Sequence, residues 1–147
     1  MTISYVSEGV KKPKLPFRLI SKWLKQVILK FDCITGDLTY IFCDDEYLKE
    51  VNLKYLNHDF YTDIVTFDYR NGGPVVSGDM FISINRVKDN SELFNCDING
   101  EFLRVMVHGI LHLLEFNDGN DEEKKLMRSK EDECIFLFKD FGNENIK

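Results

Sequence analysis

The sequence predicts an α/β domain, a small mixed β-sheet packed with helices. Three observations carry this reading. Short apolar runs of period two alternate with longer runs of helical spacing. A glycine- and proline-rich turn joins two of the strand-like runs. One stretch just after residue 100 is apolar around nearly its whole circumference, the mark of a helix buried inside a domain. With 147 residues, 44% of them apolar, the chain can bury a core of its own, and residues 1–147 are read as a single domain.

The elements follow in order. Residues 3–6 are a short strand. Pro16 is placed to open a helix, where its missing N–H costs nothing, and 17–31 carries Ile20, Trp23, Leu24, Val27, Ile28 and Phe31 at helical spacing. Gly36-Asp37 reads as a turn before a strand over 38–43. Asp44 is placed to cap a helix over 45–56, and Asn57-His58-Asp59 breaks it. Residues 63–69 alternate as a strand, Asn71-Gly72-Gly73-Pro74 is a turn, and 78–85 is a second strand, so the pair predicts a hairpin. A helix follows over 100–116. Asn120 with Glu123 resembles a capping box ahead of a final helix over 121–141.

Bulk properties exclude several classes. The net charge is −6, which argues against a protein that simply coats nucleic acid. No run approaches the ~18 apolar residues of a membrane helix, and the first ten residues lack the pattern of a signal peptide. Cys33, Cys43, Cys96 and Cys134 form no CxxC pair, so buried reduced thiols are expected rather than disulfides or a zinc ribbon. A cytoplasmic location, with no membrane partner, is expected.

The helix after residue 100 carries the chemistry. Its polar residues Glu101, Arg104, His108, His112 and Glu115 fall within an arc of roughly 80°. Histidines at i and i+4 stand one turn apart on one face, so both imidazoles reach a common ion. Six residues later Asp118 lies in a polar break, where a returning chain brings its carboxylate to the two rings. Two nitrogens and one oxygen leave a coordination position open, the composition of a catalytic rather than a closed structural site. His108, His112 and Asp118 are therefore the expected ligands of one divalent ion, zinc first among them. A plain solvated or hydrogen-bonded stripe is the alternative. Gly109 stands where a zinc peptidase has its general-base Glu, which argues against peptide hydrolysis. Gly109 also lets a neighbouring backbone approach or leaves room beside the metal.

The string His108-Gly109-Ile110-Leu111-His112-Leu113-Leu114-Glu115-Phe116-Asn117-Asp118 resembles the signature H-G-x-L-H-L-x-G-Y-D-H of the YbeY endoribonuclease family. Two more segments resemble that family in matching order and spacing: Leu53-Lys54-Tyr55-Leu56-Asn57-His58-Asp59 through Tyr61-Thr62-Asp63-Ile64-Val65-Thr66-Phe67, and Gly78-Asp79-Met80-Phe81-Ile82-Ser83. The resemblance implies a cytoplasmic, zinc-dependent endoribonuclease selective for single strands. It implies one Zn2+ per chain, a role in 3′-end maturation of small-subunit ribosomal RNA and in ribosome quality control, and partners in the small ribosomal subunit and its proteins. Three positions depart from the pattern. Asp118 replaces a His, which should make the metal a weaker Lewis acid. Leu56 replaces an Arg found in many members. Glu115 replaces a Gly.

Local charge is compatible with RNA. Seven basic residues and no acidic one lie between Lys11 and Lys30, leaving 12 basic against 25 acidic elsewhere. Arg18, Lys22 and Lys25 form a ridge at i, i+4, i+7, suited to phosphate contact or to plain solvation. Arg104, one turn before His108, is placed to orient a ligand or a phosphate. His58 and Asp59 are read as a turn ahead of a ligand or base, Thr62, Asp63 and Asp79 as structural, and Glu115 as exposed. Two other functions fit less of the sequence: a ribosome-associated binding protein with a structural metal, and a metallohydrolase of a non-RNA substrate.

Overall fold

The computed structural model describes residues 2–146, and side chains through residue 141. Its four strands lie in the order β1-β2-β4-β3, with β1 at Ile3–Ser7, β2 at Ile34–Cys43, β3 at Ile64–Asp68 and β4 at Val75–Ser83. The β1–β2 and β2–β4 pairs are parallel and β3–β4 is an antiparallel hairpin, so the sheet is mixed as expected. The helices are α1 (Phe17–Lys30), α2 (Asp45–Leu56), α3 (Ile84–Leu93), α4 (Ile98–Leu113) and α5 (Asp121–Ile146). Among the described residues no helix is long and apolar enough to cross a membrane.

Side-chain alternation divides the sheet. Leu38, Tyr40 and Phe42 of β2, with Val76, Met80 and Ile82 of β4, share one buried cluster with Trp23 of α1 and Met106, Ile110 and Leu111 of α4. Cys43, Val65 and Phe81 face the other way, where Leu48 and Val51 of α2 pack on them. Two polar atoms in the main core are satisfied. Trp23 Nε1 donates to the Cys134 carbonyl at 2.7 Å and Tyr40 Oη to the Met106 carbonyl at 2.7 Å, tying α1 to α5 and β2 to α4. Each exchanges a costly orphan donor for a cross-link between elements.

Four expectations are corrected here. Gly36-Asp37 is a register shift inside β2 rather than a turn before it, because β2 begins at Ile34 opposite Val75. A Cβ at Gly36 would meet Val76 O at 2.8 Å, so the close strand approach requires glycine. The strand expected over 78–85 starts at Val75 and ends at Ser83, whose hydroxyl accepts from Arg86 N at 3.1 Å and opens α3. That helix is absent from the sequence reading; only Val87 and Ser91 of it are buried, too few for an apolar period. Finally, Cys33, Cys43 and Cys134 are buried free thiols, but Cys96, in the α3–α4 turn, is exposed.

Candidate metal centre

α4 runs through the core with its polar stripe toward the hairpin on one side and α5 on the other. Asp97 caps its start by accepting from Gly100 N at 3.3 Å. Its end comes at Leu113, three residues before the expected stop, because Glu115 takes φ +75° and the Glu115 and Phe116 amides return to the carbonyls of His112 and Leu111. A left-handed residue at this position is the usual helix stop and favours glycine. The family pattern has glycine there; here the position is the exposed Glu115, in the left-handed conformation.

That stop swings residues 116–118 back over the helix. His112 Nε2 lies 3.0 Å from His108 Nε2, and Asp118 Oδ2 lies 3.3 Å and 3.4 Å from the two nitrogens. Ligands at the ~2.0–2.1 Å of zinc–nitrogen bonds, arranged tetrahedrally, stand about 3.3 Å apart. The donor triangle therefore fits a first-row divalent ion, and these three residues are the candidate ligand group among the described residues. Imidazole nitrogens with one carboxylate suit transition metals better than calcium or magnesium.

A carboxylate from another helix sets the tautomer. Glu131 of α5, 5% exposed, places Oε2 2.6 Å from His108 Nδ1. With the proton on Nδ1, the Nε2 lone pair is left facing the ion position. Glu131 Oε1 in turn accepts from Arg104 Nη1 at 2.9 Å, and Arg104 Nη2 donates to Asp132 at 2.9 Å. Arg104 is thus engaged with two carboxylates, one of which holds a histidine. The sequence did hold a signal for Glu131: Met127, Glu131 and Cys134 follow i, i+4, i+7, and all three are buried. A carboxylate on the apolar face of a helix calls for a buried partner.

The two imidazoles titrate in opposite directions. Burial pushes His108 down, but the Glu131 hydrogen bond and charge, with Asp63 and Asp118, outweigh it and hold His108 above the ordinary histidine value. Burial and the neighbouring His108 charge push His112 down. Burial also raises the carboxyls of Asp63 and Glu101.

Two clefts meet at this centre, and Asp63, His108 and Asp118 line both. The first, of ≈ 490 Å³, lies between α4 and the β3 strand and includes Leu56, His58, Phe60 and His112. The second, of ≈ 510 Å³, lies between α3, α4 and α5 and includes Arg104, Lys124, Arg128 and Glu131. Both volumes are of small-ligand size. Gly109 lets α4 sit down on the hairpin, since a Cβ there would meet Ile64 Cδ1 and Met80 Sδ at 2.8 Å. Asp59 pairs with Lys49 at 3.7 Å. Asp79 accepts from Tyr69 Oη at 3.0 Å, away from both clefts. Arg18, Lys22 and Lys25 are exposed on α1 and line neither cleft.

Fold and donor set together define an α/β domain with a candidate divalent-metal centre on its buried helix, open to two clefts. The family model for Endoribonuclease YbeY matches residues 7–139. The chain belongs to the YbeY endoribonuclease family. It is 43% identical over 137 residues to the protein named Endoribonuclease YbeY of Parabacteroides distasonis, covering 93% of this chain and 96% of that one. It is 50% identical over 116 residues to that of Flavobacterium johnsoniae, covering 79% and 83%. The solution structure of a Thermotoga maritima protein, 23% identical, has the same fold with a TM-score of 0.66, covering 98% of this chain and 93% of that one.

Proposed function

We propose that residues 1–147 form one cytoplasmic metallo-endoribonuclease domain, which cuts single-stranded RNA during 3′-end maturation of small-subunit ribosomal RNA and in ribosome quality control. The small ribosomal subunit and its proteins are the partners this role implies. The observation that supports it most is the triangle of Nε2, Nε2 and Oδ2 with edges of 3.0–3.4 Å at the meeting of two clefts, in a chain of an endoribonuclease family.

In this reading His108, His112 and Asp118 hold one Zn2+. When bound, the ion supplies Lewis-acid polarisation of the phosphate and activation of water for hydrolysis. The side chains do the rest. Glu131 fixes the His108 ring, and Arg104 fixes Glu131, so Arg104 serves as a positioning residue. Asp118 closes the site from outside regular structure. A carboxylate in place of a third imidazole brings extra negative charge to the ion, so a milder Lewis acid is expected than a three-His site would give. Arg18, Lys22 and Lys25, outside the clefts, would meet phosphates farther along the RNA.

The test is cleavage of an end-labelled single-stranded RNA by wild type and His112→Ala from matched purifications, with a chelator lane. Wild type is expected to cut, with activity reduced at least about 100-fold in the variant and under chelation. Equal cutting by wild type and variant would remove the activity from this site. A wild type that holds one metal but cuts no RNA would favour a binding protein with a structural metal.

A further inference from the structure

The first cleft has a lip that holding the metal does not use. It is the loop 57–62 between α2 and β3. His58 and Phe60 stack there with ring centroids 5.2 Å apart and planes 20° apart, and Phe60 remains 53% exposed. Both line the cleft that His108, His112 and Asp118 also line. The other rings of the region are engaged. Tyr61 lies under Lys49 at 4.6 Å and Arg86 at 5.3 Å and donates to Glu46 at 2.6 Å. Tyr55 packs edge-on against Phe67, with Lys54 at 5.2 Å.

The lip is fixed from below. Asn57 stops α2 in the left-handed conformation at φ 56°. Asn52, 2% exposed, receives the His58 amide at its carbonyl at 3.2 Å and donates its own side-chain amide to the Phe60 carbonyl at 3.3 Å. One buried residue therefore anchors the backbone of both stacked rings. An aromatic surface held in place before binding loses little freedom when a ligand arrives.

Charge selects the occupant. Asp63, Asp68 and Asp118 line this cleft, and among the described residues no lysine or arginine does. Away from the ion position, which Asp118 serves, a phosphate finds no cationic partner among the described residues of this cleft, while the uncharged, planar face of a base needs none. We infer that the His58–Phe60 pair is a stacking platform for one unpaired nucleobase of the RNA, seated beside the phosphate at the metal centre. The inference rests on the endoribonuclease reading and extends it to a base-binding subsite, selective for unpaired strands because a paired, stacked base presents no free face.

The test uses the full chain and an oligoribonucleotide carrying a fluorescent purine whose emission falls on stacking, read by rapid mixing before any cleavage. Wild type is expected to quench it saturably. Phe60→Ala should lose the quenching and bind about ten-fold more weakly, the usual scale for one base–aromatic stack. Phe60→Tyr should restore both, and Phe136→Ala, on a distant exposed ring, should match wild type. Cleavage of the unmodified RNA, run in parallel, should show KM raised about ten-fold in Phe60→Ala with kcat within about two-fold. Quenching and affinity unchanged in Phe60→Ala overturn the platform whether or not the RNA is cut, as does a wild type that does not quench. Quenching by wild type that Phe60→Ala loses, without cleavage by either, keeps the platform and removes the nuclease.

Discussion

The two clefts share three residues and almost nothing else. One is rimmed by Leu56, His58 and Phe60, has carboxylates inside and is without a lysine or arginine among the described residues. The other holds Lys124 and Arg128 at its exposed edge and, deeper, the Arg104–Glu131 pair that grips His108. Their difference separates two tasks that a strand of RNA imposes at once. Both walls carry carboxylates, Glu101 and Glu131 among those of the second, so in the proposed reading flat uncharged bases suit the first and only the exposed Lys124 and Arg128 edge of the second suits phosphates, with the ion position at the boundary. The asymmetry also shows why the candidate metal centre leans on α5: the carboxylate that holds His108 comes from the second side.

Breaking that support gives the largest effect. Glu131→Gln keeps an acceptor for His108 Nδ1 but removes the charge, and should weaken metal affinity by about 10- to 100-fold, measured by competition with a chromogenic chelator. Arg104→Ala, one step farther out, should act in the same direction and less. Unchanged affinity in Glu131→Gln would make the second cleft a bystander to the metal.

Acidity probes the shared wall itself. Metal binding needs both imidazoles neutral. His108 is held above the ordinary value and His112 below it, so only His108 carries a proton to displace as pH falls through its pKa. Metal affinity should drop about ten-fold per pH unit there, a one-proton slope. In the metal-free chain the sign reverses. A raised folded-state pKa stabilises the fold below the unfolded histidine value, and that contribution is lost as pH rises through the folded one. A two-proton slope would show that the histidines are not split in this way.

The smallest expected effect sharpens the division between the clefts. Replacing Lys124 and Arg128 by Ala should make the salt dependence of single-stranded RNA binding shallower by about 0.7 in log–log slope per charge removed. It should leave the depth of base quenching at saturation in the first cleft as it was. If Phe60→Ala changed the salt slope instead, the assignment of bases to one side and phosphates to the other would fail.

Much of this was legible before the structure. The grouping of His108, His112 and Asp118 could be read because helical periodicity puts two side chains on one face and a polar break marks where the third returns. The hairpin and the caps at Asp44 and Asn120 were legible because each is local chemistry; Asp44 accepts from Tyr47 N and Asn120 from Glu123 N, both at 2.8 Å. The misses are of another kind. Gly36-Asp37 carries turn chemistry, yet pairing on both sides of β2 keeps the strand going. α3 buries too little to announce itself. Glu131 reaches His108 across 23 residues, a distance set by how α5 lies on α4 rather than by any local pattern. Periodicity speaks for elements; contacts between elements need the packing.

The lengths of the strands carry a consequence of their own. The two outer strands have five residues each, while the inner two have 10 and nine. A free strand edge is a template on which another chain can polymerise, and its reach is the run of amide and carbonyl groups it leaves unmatched. By keeping both rims to half the length of its interior, this sheet offers a neighbouring molecule little to extend, a safeguard against fibril growth in a crowded cell.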